Sequence, residues 1–223
     1  MSVVDNYKKI KVDVDKCSMK AGHKVELLAV SKNQSVLKMD ELANSNVSLF
    51  GESKVQEALP KINYLSNKYN NLEFHFIGKV QTNKLKKIVE FFHLIHSVDR
   101  EDVLSLIDKY ALDLNKKQHI LIQLNIACEK QKNGIAVSEL ENILNTASHY
   151  KNIVVKGLMF MPPYEEDVTK NIKYFETANK LFCQYKSDVF DTLSMGMSHD
   201  FKEAIEHGST LVRVGTYIFG ERV

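Results

Sequence analysis

Hydrophobic residues along the chain follow two alternating spacings, which predict eight strands separated by helices. Apolar residues three to four positions apart predict an amphipathic opening helix over residues 3–17. The predicted strands cover residues 24–31, 47–50, 73–77, 94–98, 118–126, 153–159, 192–195 and 211–214. The later predicted helices cover residues 36–44, 53–67, 82–90, 100–112, 137–148, 169–185 and 201–207, and residues 216–219 are predicted as a final turn. Pro60 predicts a kink or an end within its helix, and Asp99 is the predicted N-cap of the helix that follows it.

The order of these elements predicts the fold class. Alternating strands and helices of this number are typical of an α/β protein with a closed parallel (β/α)8 barrel of the TIM type, here with an extra N-terminal helix. A doubly wound open sheet is the alternative. No repeat or linker interrupts the pattern, so we expect one domain over residues 1–223. In either fold, function is expected at the C-terminal ends of the strands.

Composition and charge narrow the class of protein. Hydrophobic residues make up 44% of the chain and charged residues 26%, which is ordinary for a globular protein. A net charge of +2 and no aromatic interleaving argue against a nucleic-acid surface. No apolar run reaches the length of a membrane span, and the N-terminus has no signal-peptide core. With three cysteines that show no pairing pattern, we expect a cytoplasmic protein without membrane association.

Lys32 ends the first predicted strand, after the uncharged residues 27–31. A lysine in this position can lay its stem along apolar surface and keep its ammonium group in water. Alternatively, a desolvated amine with a lowered pKa can form a Schiff base with a carbonyl compound. The strand alone favours the first interpretation.

Two loops near the end of the chain indicate a phosphate site. Ser198 follows the seventh strand, and Gly215 and Thr216 follow the eighth. Barrels commonly bind phosphate between these two loops, through backbone N–H groups and hydroxyls at the start of a short helix. The alternative is that Ser198 and Thr216 are ordinary N-caps. A phosphate site opposite Lys32 suggests a phosphorylated aldehyde, and pyridoxal 5′-phosphate is the obvious candidate.

Arg213 lies two residues before Gly215 and therefore has the same inward parity on the eighth strand. Its guanidinium could donate to the pyridine nitrogen of that ring. Arginine cannot supply a proton, so the ring would stay neutral and would be a weak electron sink. A salt bridge to a barrel carboxylate such as Glu52 is an equal alternative. Another candidate, a metal pair of His93 and His96, is disfavoured because the two side chains point to opposite faces of a strand.

Seven segments together carry a family resemblance: AVSK at 29–32, FGESKVQEAL at 50–59, HFIGKVQTNK at 75–84, IHSVD at 95–99, GLMFMPP at 157–163, LSMGMSHDF at 193–201 and RVGTYIFGER at 213–222. They resemble the pyridoxal phosphate homeostasis proteins, which are single-barrel relatives of the alanine racemase N-terminal domain with the fold type III architecture of pyridoxal phosphate proteins.

The resemblance implies a set of cofactor-binding residues. It implies an imine on Lys32, phosphate contacts from Ser198, Gly215 and Thr216, and Arg213 facing the ring nitrogen. Three residues from other strand-end motifs complete the expected set: Ser53, His75 and Met159. For His75 alone, a satisfied strand histidine is the simpler interpretation. The family usually has Asn where Ser53 stands, and the shorter hydroxyl is expected to lose a contact.

The resemblance also implies a function, which is to hold pyridoxal 5′-phosphate, buffer it and deliver it to apoenzymes. Racemases of this fold type use a second domain that supplies a catalytic tyrosine, whereas this chain stops seven residues after Thr216. We therefore expect a monomeric binding protein without catalytic residues or a metal. Two alternatives are a racemase-like or transaminase-like enzyme that uses the cofactor, and an aldolase-type lysine enzyme that acts on a phosphorylated carbonyl without it.

Overall fold

Eight parallel strands close into a barrel in the order β1 to β8, with β1 pairing with β8. The structure is a computed structural model that describes residues 2–129 and 131–220. The end of the RVGTYIFGER motif, residues 221–222, lies outside this range. The strands are β1 Glu26–Val30, β2 Leu49–Glu52, β3 Glu73–Phe76, β4 Leu94–Val98, β5 Gln118–Leu124, β6 Ile153–Phe160, β7 Thr192–Met197 and β8 Leu211–Val214. The predicted barrel is confirmed, and the open doubly wound sheet is wrong.

Helices follow the strands around the barrel, and α1 precedes them. They are α1 Val3–Ala21, α2 Val36–Asn44, α3 Val55–Ser66, α4 Leu85–Phe91, α5 Glu101–Asp113, α6 Leu140–Ser148, α7 Ile172–Tyr185, α8 Phe201–Glu206 and α9 Thr216–Phe219. Short 3₁₀ turns at Thr82–Lys84, Val137–Glu139 and Val168–Asn171 lead into α4, α6 and α7. The extra helix α1 starts at a capping box between Ser2 and Asp5 and packs against α8 and α9. Within the described residues, no helix is both long and apolar enough to span a bilayer.

The structure corrects two predicted helix features. Helix α3 runs through Pro60, so the predicted end there is wrong, while the predicted kink stays a prediction. Proline removes one hydrogen bond at a cost of about 3 kcal/mol, but burial of Ile62 and Leu65 beyond it returns about 1.5–3 kcal/mol for each side chain. The predicted N-cap Asp99 is also wrong, because Arg100 occupies the N-cap position of α5 without a side-chain cap bond. Asp99 instead accepts a hydrogen bond from Nη1 of Arg100 at 3.0 Å.

Strand residues of alternate parity build two different environments. One parity packs with the helices into a large apolar core that includes Phe50, Phe74 and Phe160. The other parity faces the barrel interior and is only partly apolar, with a small cluster of Leu94, Leu121 and Met159. The buried polar residues His75, His96, Ser194 and Arg213 share this interior. The barrel interior therefore contains hydrogen-bonded polar side chains below the C-terminal ends of the strands.

Candidate functional site

A pocket of about 230 Å³ opens at the C-terminal ends of β1, β6, β7 and β8. Its lining residues are Val30, Lys32, Gln34, Ile77, Met159, Met161, Met197, Ser198, His199, Arg213, Gly215, Thr216 and Gly220. Six of the eight residues predicted from the sequence are among them. Ser53 and His75 do not line this pocket. The barrel thus brings a lysine, an arginine, two hydroxyl groups and three methionines into one pocket.

Lys32 lies in a tight turn just beyond β1. The turn is closed by a hydrogen bond from the Gln34 N–H to the Ser31 carbonyl at 3.1 Å, and Ser31 N–H donates to the Gly51 carbonyl of β2 at 3.0 Å. Asn33 has a φ of 59°, in the left-handed region that side chains other than glycine rarely adopt. Lys32 shares the parity of Val30, which also lines the pocket, so the chain leaves the strand with the lysine on the pocket side.

Arg213 is buried at the base of the pocket, with only 4% of its surface exposed. Its Nη1 donates to the Ser194 carbonyl at 2.8 Å and to Ser194 Oγ at 2.6 Å, and its Nη2 donates to the Phe160 carbonyl at 3.1 Å. Among the described residues, no carboxylate lies within ion-pair distance of it, and the salt bridge to Glu52 is wrong because Glu52 pairs with Lys61. Burial lowers the pKa of Arg213 to about 10, although the negative charge of Asp200 opposes the shift.

A chain of hydrogen bonds runs from Arg213 across the barrel interior. Ser194 Oγ lies 3.1 Å from His96 Nδ1, and His96 Nε2 lies 3.0 Å from His75 Nδ1. Ser194 Oγ accepts from Arg213 and also lies within hydrogen-bond distance of His96, so the four side chains form one connected network. Burial lowers the pKa of His75 to about 3 and that of His96 well below its usual range. Both imidazoles are therefore neutral near pH 7.

The loops after β7 and β8 meet on the other side of the pocket. The Gly215 N–H donates to Ser198 Oγ at 3.3 Å, and α9 begins at the next residue. The first N–H groups of this turn, from Thr216 and Tyr217, have no partner within the helix. A Cβ at Gly215 would lie 3.3 Å from the Val30 carbonyl oxygen, so glycine lets the β8 end approach β1 closely. The loop that carries the hydroxyls is therefore packed beside the strand that carries Lys32.

Ser53 and His75 lie away from the pocket. Ser53 follows β2 and lines a separate cavity of about 390 Å³ together with Lys54, Lys79 and Lys84. His75 projects from β3 into the barrel and reaches Arg213 only through His96 and Ser194. The structure thus places His75 behind the site and Ser53 beside it.

Several residues at the site escaped the sequence analysis as functional candidates. Met161, Met197 and His199 line the pocket and stand in motifs already noted, and the Tyr164 ring stacks on His199 with centroids 6.0 Å apart. Their position in strand-end motifs was the available signal. By contrast, nothing in the local pattern of α3 marks Lys61, whose ammonium group contacts the Lys32 turn.

Comparisons with known proteins agree with this geometry. The family described as alanine racemase, N-terminal domain, matches residues 6–223. The pyridoxal phosphate homeostasis protein of Aquifex aeolicus is 39% identical over 200 residues, covering 88% of this chain and 87% of that protein. The protein of the same name from Vibrio cholerae is 37% identical over 229 residues, covering 99% and 97%.

A solved structure matches over the same range. PipY of Synechococcus elongatus, with pyridoxal phosphate bound, superposes with a TM-score of 0.87 at 28% sequence identity, and the match covers 98% of this chain and 100% of that one. Together with the sequence relatives, this shows that the chain belongs to the pyridoxal phosphate homeostasis protein family, whose barrel is that of the alanine racemase N-terminal domain.

Proposed function

We propose that this protein binds pyridoxal 5′-phosphate as a Schiff base on Lys32, buffers it and passes it to apoenzymes. The observation that carries the proposal is that one pocket is lined by Lys32, by the buried Arg213 and by two hydroxyl residues of neighbouring loops, Ser198 and Thr216. The names of the relatives and the ligand of PipY support the same cofactor.

The pocket residues fit the chemical groups of this cofactor. Lys32 supplies the amine for the aldehyde, while Ser198 and Thr216 offer hydroxyls for the phosphate beside the N–H groups of the α9 turn. Met159 and Ile77 provide apolar surface for a ring. When bound, the cofactor supplies an aldehyde that condenses with an amine and a ring that can accept electrons. Ser53 remains in the proposed set only through the family motif, since it lines a different cavity.

Arg213 supports a holding role over a catalytic one. Three of its five N–H donors bond to Ser194 and Phe160, which leaves two that can face a ligand. With a pKa of about 10, the guanidinium stays protonated at neutral pH and can only donate to a ring nitrogen. The ring then stays neutral and withdraws electrons weakly. The relatives are likewise named as homeostasis proteins and not as enzymes.

A visible titration tests the binding step. Adding pyridoxal 5′-phosphate to the purified protein should produce an imine absorbance band, and borohydride should fix the adduct on the peptide that contains Lys32. Lys32→Ala should lose both signals. Lys24→Ala is the matched control, because Lys24 precedes the other end of β1 and its side chain is highly exposed. A full imine band in Lys32→Ala would contradict the assignment.

The proposed function also has the protein act as a monomer in the cytoplasm. A transfer assay tests whether it delivers pyridoxal 5′-phosphate to an apoenzyme. The loaded protein is mixed with an apoenzyme while a phosphatase destroys free cofactor, and recovered activity is measured. Direct delivery predicts recovery under conditions in which an equal amount of free cofactor gives little. Equal loss of recovery in both samples would contradict delivery and leave buffering as the role.

A further inference from the structure

A buried ion-pair network joins the end of β1 to α3. Lys61 Nζ lies 3.0 Å from the Ser31 carbonyl, 2.9 Å from Glu52 Oε1 and 2.5 Å from Glu57 Oε1. The Lys61 side chain is 9% exposed and that of Glu52 is fully buried. An ammonium group in the core of the protein thus contacts the residue that directly precedes Lys32.

The same network also holds the residue that follows Lys32. Glu57 Oε1 accepts a hydrogen bond from the Asn33 N–H at 2.5 Å, and Ser31 Oγ donates to Glu52 Oε1 at 2.7 Å. Asn33 keeps a left-handed φ of 59°, a conformation that residues other than glycine rarely adopt and that here coincides with the bond from its N–H to Glu57. Both neighbours of Lys32 in the chain are therefore bonded to the same ion-pair network, Ser31 to Lys61 and Glu52 and Asn33 to Glu57.

Stability alone does not explain such a network. Apolar side chains of similar volume usually replace a buried ion pair without loss, because desolvation of the charges offsets their attraction. Glu52 Oε2 is buried and has no hydrogen-bond partner among the described residues. What ion pairs and charged hydrogen bonds do provide is direction, since donors and acceptors must meet in a fixed geometry. Here that geometry sets the path of the backbone through the Lys32 turn.

We propose that Lys61 is a positioning residue for Lys32, acting with Glu52 and Glu57; the inference rests on the proposed Schiff base. Condensation joins the Lys32 nitrogen to the aldehyde carbon as a C=N bond and releases water, so the amine must reach a carbon whose position is set elsewhere. Ser198, Thr216 and Arg213, which come from β7 and β8, hold the rest of the ligand. Lys61 fixes the position of the Lys32 turn, which follows β1, relative to those three residues.

Two ligands separate positioning from general folding. Pyridoxal 5′-phosphate can form the imine, whereas pyridoxine 5′-phosphate carries an alcohol in place of the aldehyde and reports only phosphate and ring contacts. Lys61→Met should weaken pyridoxal 5′-phosphate binding and slow imine formation by about tenfold or more, as expected for loss of hydrogen bonds from a charged group. It should change pyridoxine 5′-phosphate binding by less than about twofold, a change within 0.5 kcal/mol. Lys61→Arg should recover part of the imine rate.

Controls keep the test decisive. Lys116→Met also removes a partly buried lysine that donates to two carbonyls, but those carbonyls belong to Val89 and Phe92, far from the Lys32 turn along the barrel. It should leave both ligands unaffected. If Lys61→Met does not fold, Glu57→Leu tests the same contact from the partly exposed side of the network, where it removes the bond to Asn33.

The outcomes distinguish this inference from the proposed function. Absence of an imine in the unmodified protein would overturn the proposed function itself. A normal imine in the unmodified protein with equal losses of both ligands in Lys61→Met and Glu57→Leu would overturn positioning and leave a structural role. Unchanged imine formation in both variants would also overturn it.

Discussion

Two buried cations lie near the ends of the barrel strands and have opposite surroundings. Lys61 contacts two carboxylates, Glu52 and Glu57, in addition to a backbone carbonyl. Within the part of the chain that the structure describes, Arg213 bonds to neutral acceptors, the Ser194 hydroxyl and carbonyl and the Phe160 carbonyl. The charge of Lys61 is thus paired with carboxylates, whereas Arg213 faces dipoles and the more distant charge of Asp200.

The difference separates a cation that is paired with carboxylates inside the protein from a cation that lines the pocket without a carboxylate partner among the described residues. Burying an uncompensated charge is costly, so its retention at the base of a pocket favours a bound anion or a strong acceptor there. The neutral histidines behind Arg213 sharpen this contrast, because they orient Ser194 without adding a negative charge.

Lys61→Met should give the largest loss, about 3–5 kcal/mol of unfolding free energy, because it leaves the Glu52 carboxylate buried without its partner. Urea unfolding at neutral pH measures it. The double variant Lys61→Met/Glu52→Leu should recover much of the loss, since the stranded charge is also removed. A double variant no more stable than the single one would mean that the network stabilises the fold through something other than its charges.

Acidification should destabilise the protein through the neutral histidines behind Arg213. An unfolded histidine takes up a proton below pH 6.5, whereas His75 stays neutral down to about pH 3, so the unfolded state binds more protons in this window. Unfolding free energy should therefore fall as pH drops below 6.5, by about 1.4 kcal/mol per pH unit for each of His75 and His96. The raised pKa of Glu52 has the opposite sign and offsets part of this loss.

Urea unfolding at pH 7.5, 6.0 and 5.0 measures that slope. His75→Gln should reduce this slope by about 1.4 kcal/mol per pH unit, which corresponds to one proton fewer bound on unfolding. The control is His149→Gln, which removes an exposed histidine at the end of α6, and the slope of the His75 variant is compared with it. Equal slopes in the His75 variant and the unmodified protein would contradict the assignment.

Arg213→Met should change stability by only about 1 kcal/mol, because relief of a buried charge offsets the lost hydrogen bonds. Its effect on ligand binding should be much larger, a loss of about tenfold to hundredfold in affinity for pyridoxal 5′-phosphate. Urea unfolding and visible titration of the same sample measure both quantities. A stability loss as large as that of Lys61→Met would remove the distinction between the two cations.

Asn33 should give the smallest effect and reports on the edge of the Lys61 network. Asn33→Gly should shift the unfolding free energy by less than about 0.5 kcal/mol, since glycine tolerates the left-handed φ but gains entropy when unfolded. Asn33→Ala should lose about 1 kcal/mol. Thermal unfolding of the pair measures the difference. Equal stabilities would indicate that the turn relaxes and is not held by Glu57.

The sequence predicted most of the fold because strand periodicity depends only on neighbouring residues. The strands Leu94–Val98 and Leu211–Val214 and the helix Val36–Asn44 begin and end where the pattern placed them. Helix α3 was less well predicted, because local propensity at Pro60 is outweighed by the burial of residues further along the helix. The extension of β7 to Met197 likewise depends on pairing with β8, which no local pattern contains.

The candidate site was predictable to the extent that parallel strands share one functional edge. The predicted site residues follow or end strands, and a closed parallel barrel brings the C-terminal ends of its strands together at one face. These residues are Lys32, Ser198, Arg213, Gly215 and Thr216. The separate cavity beside Ser53 was not predictable, because it depends on how α3 and α4 pack on the barrel.

By itself, the sequence determined the barrel, the strand-end lysine and the loops that face it, since each follows from residue type and spacing. Only the tertiary structure decided which charges meet. Glu52, which the sequence offered as a partner for Arg213, binds Lys61 instead. The physical reason is strand parity: Glu52 shares the parity of Phe50, which packs with the helices, so its carboxylate meets Lys61 of α3, whereas Arg213 faces the barrel interior. Arg213 therefore lies in the pocket lining without Glu52 as a partner.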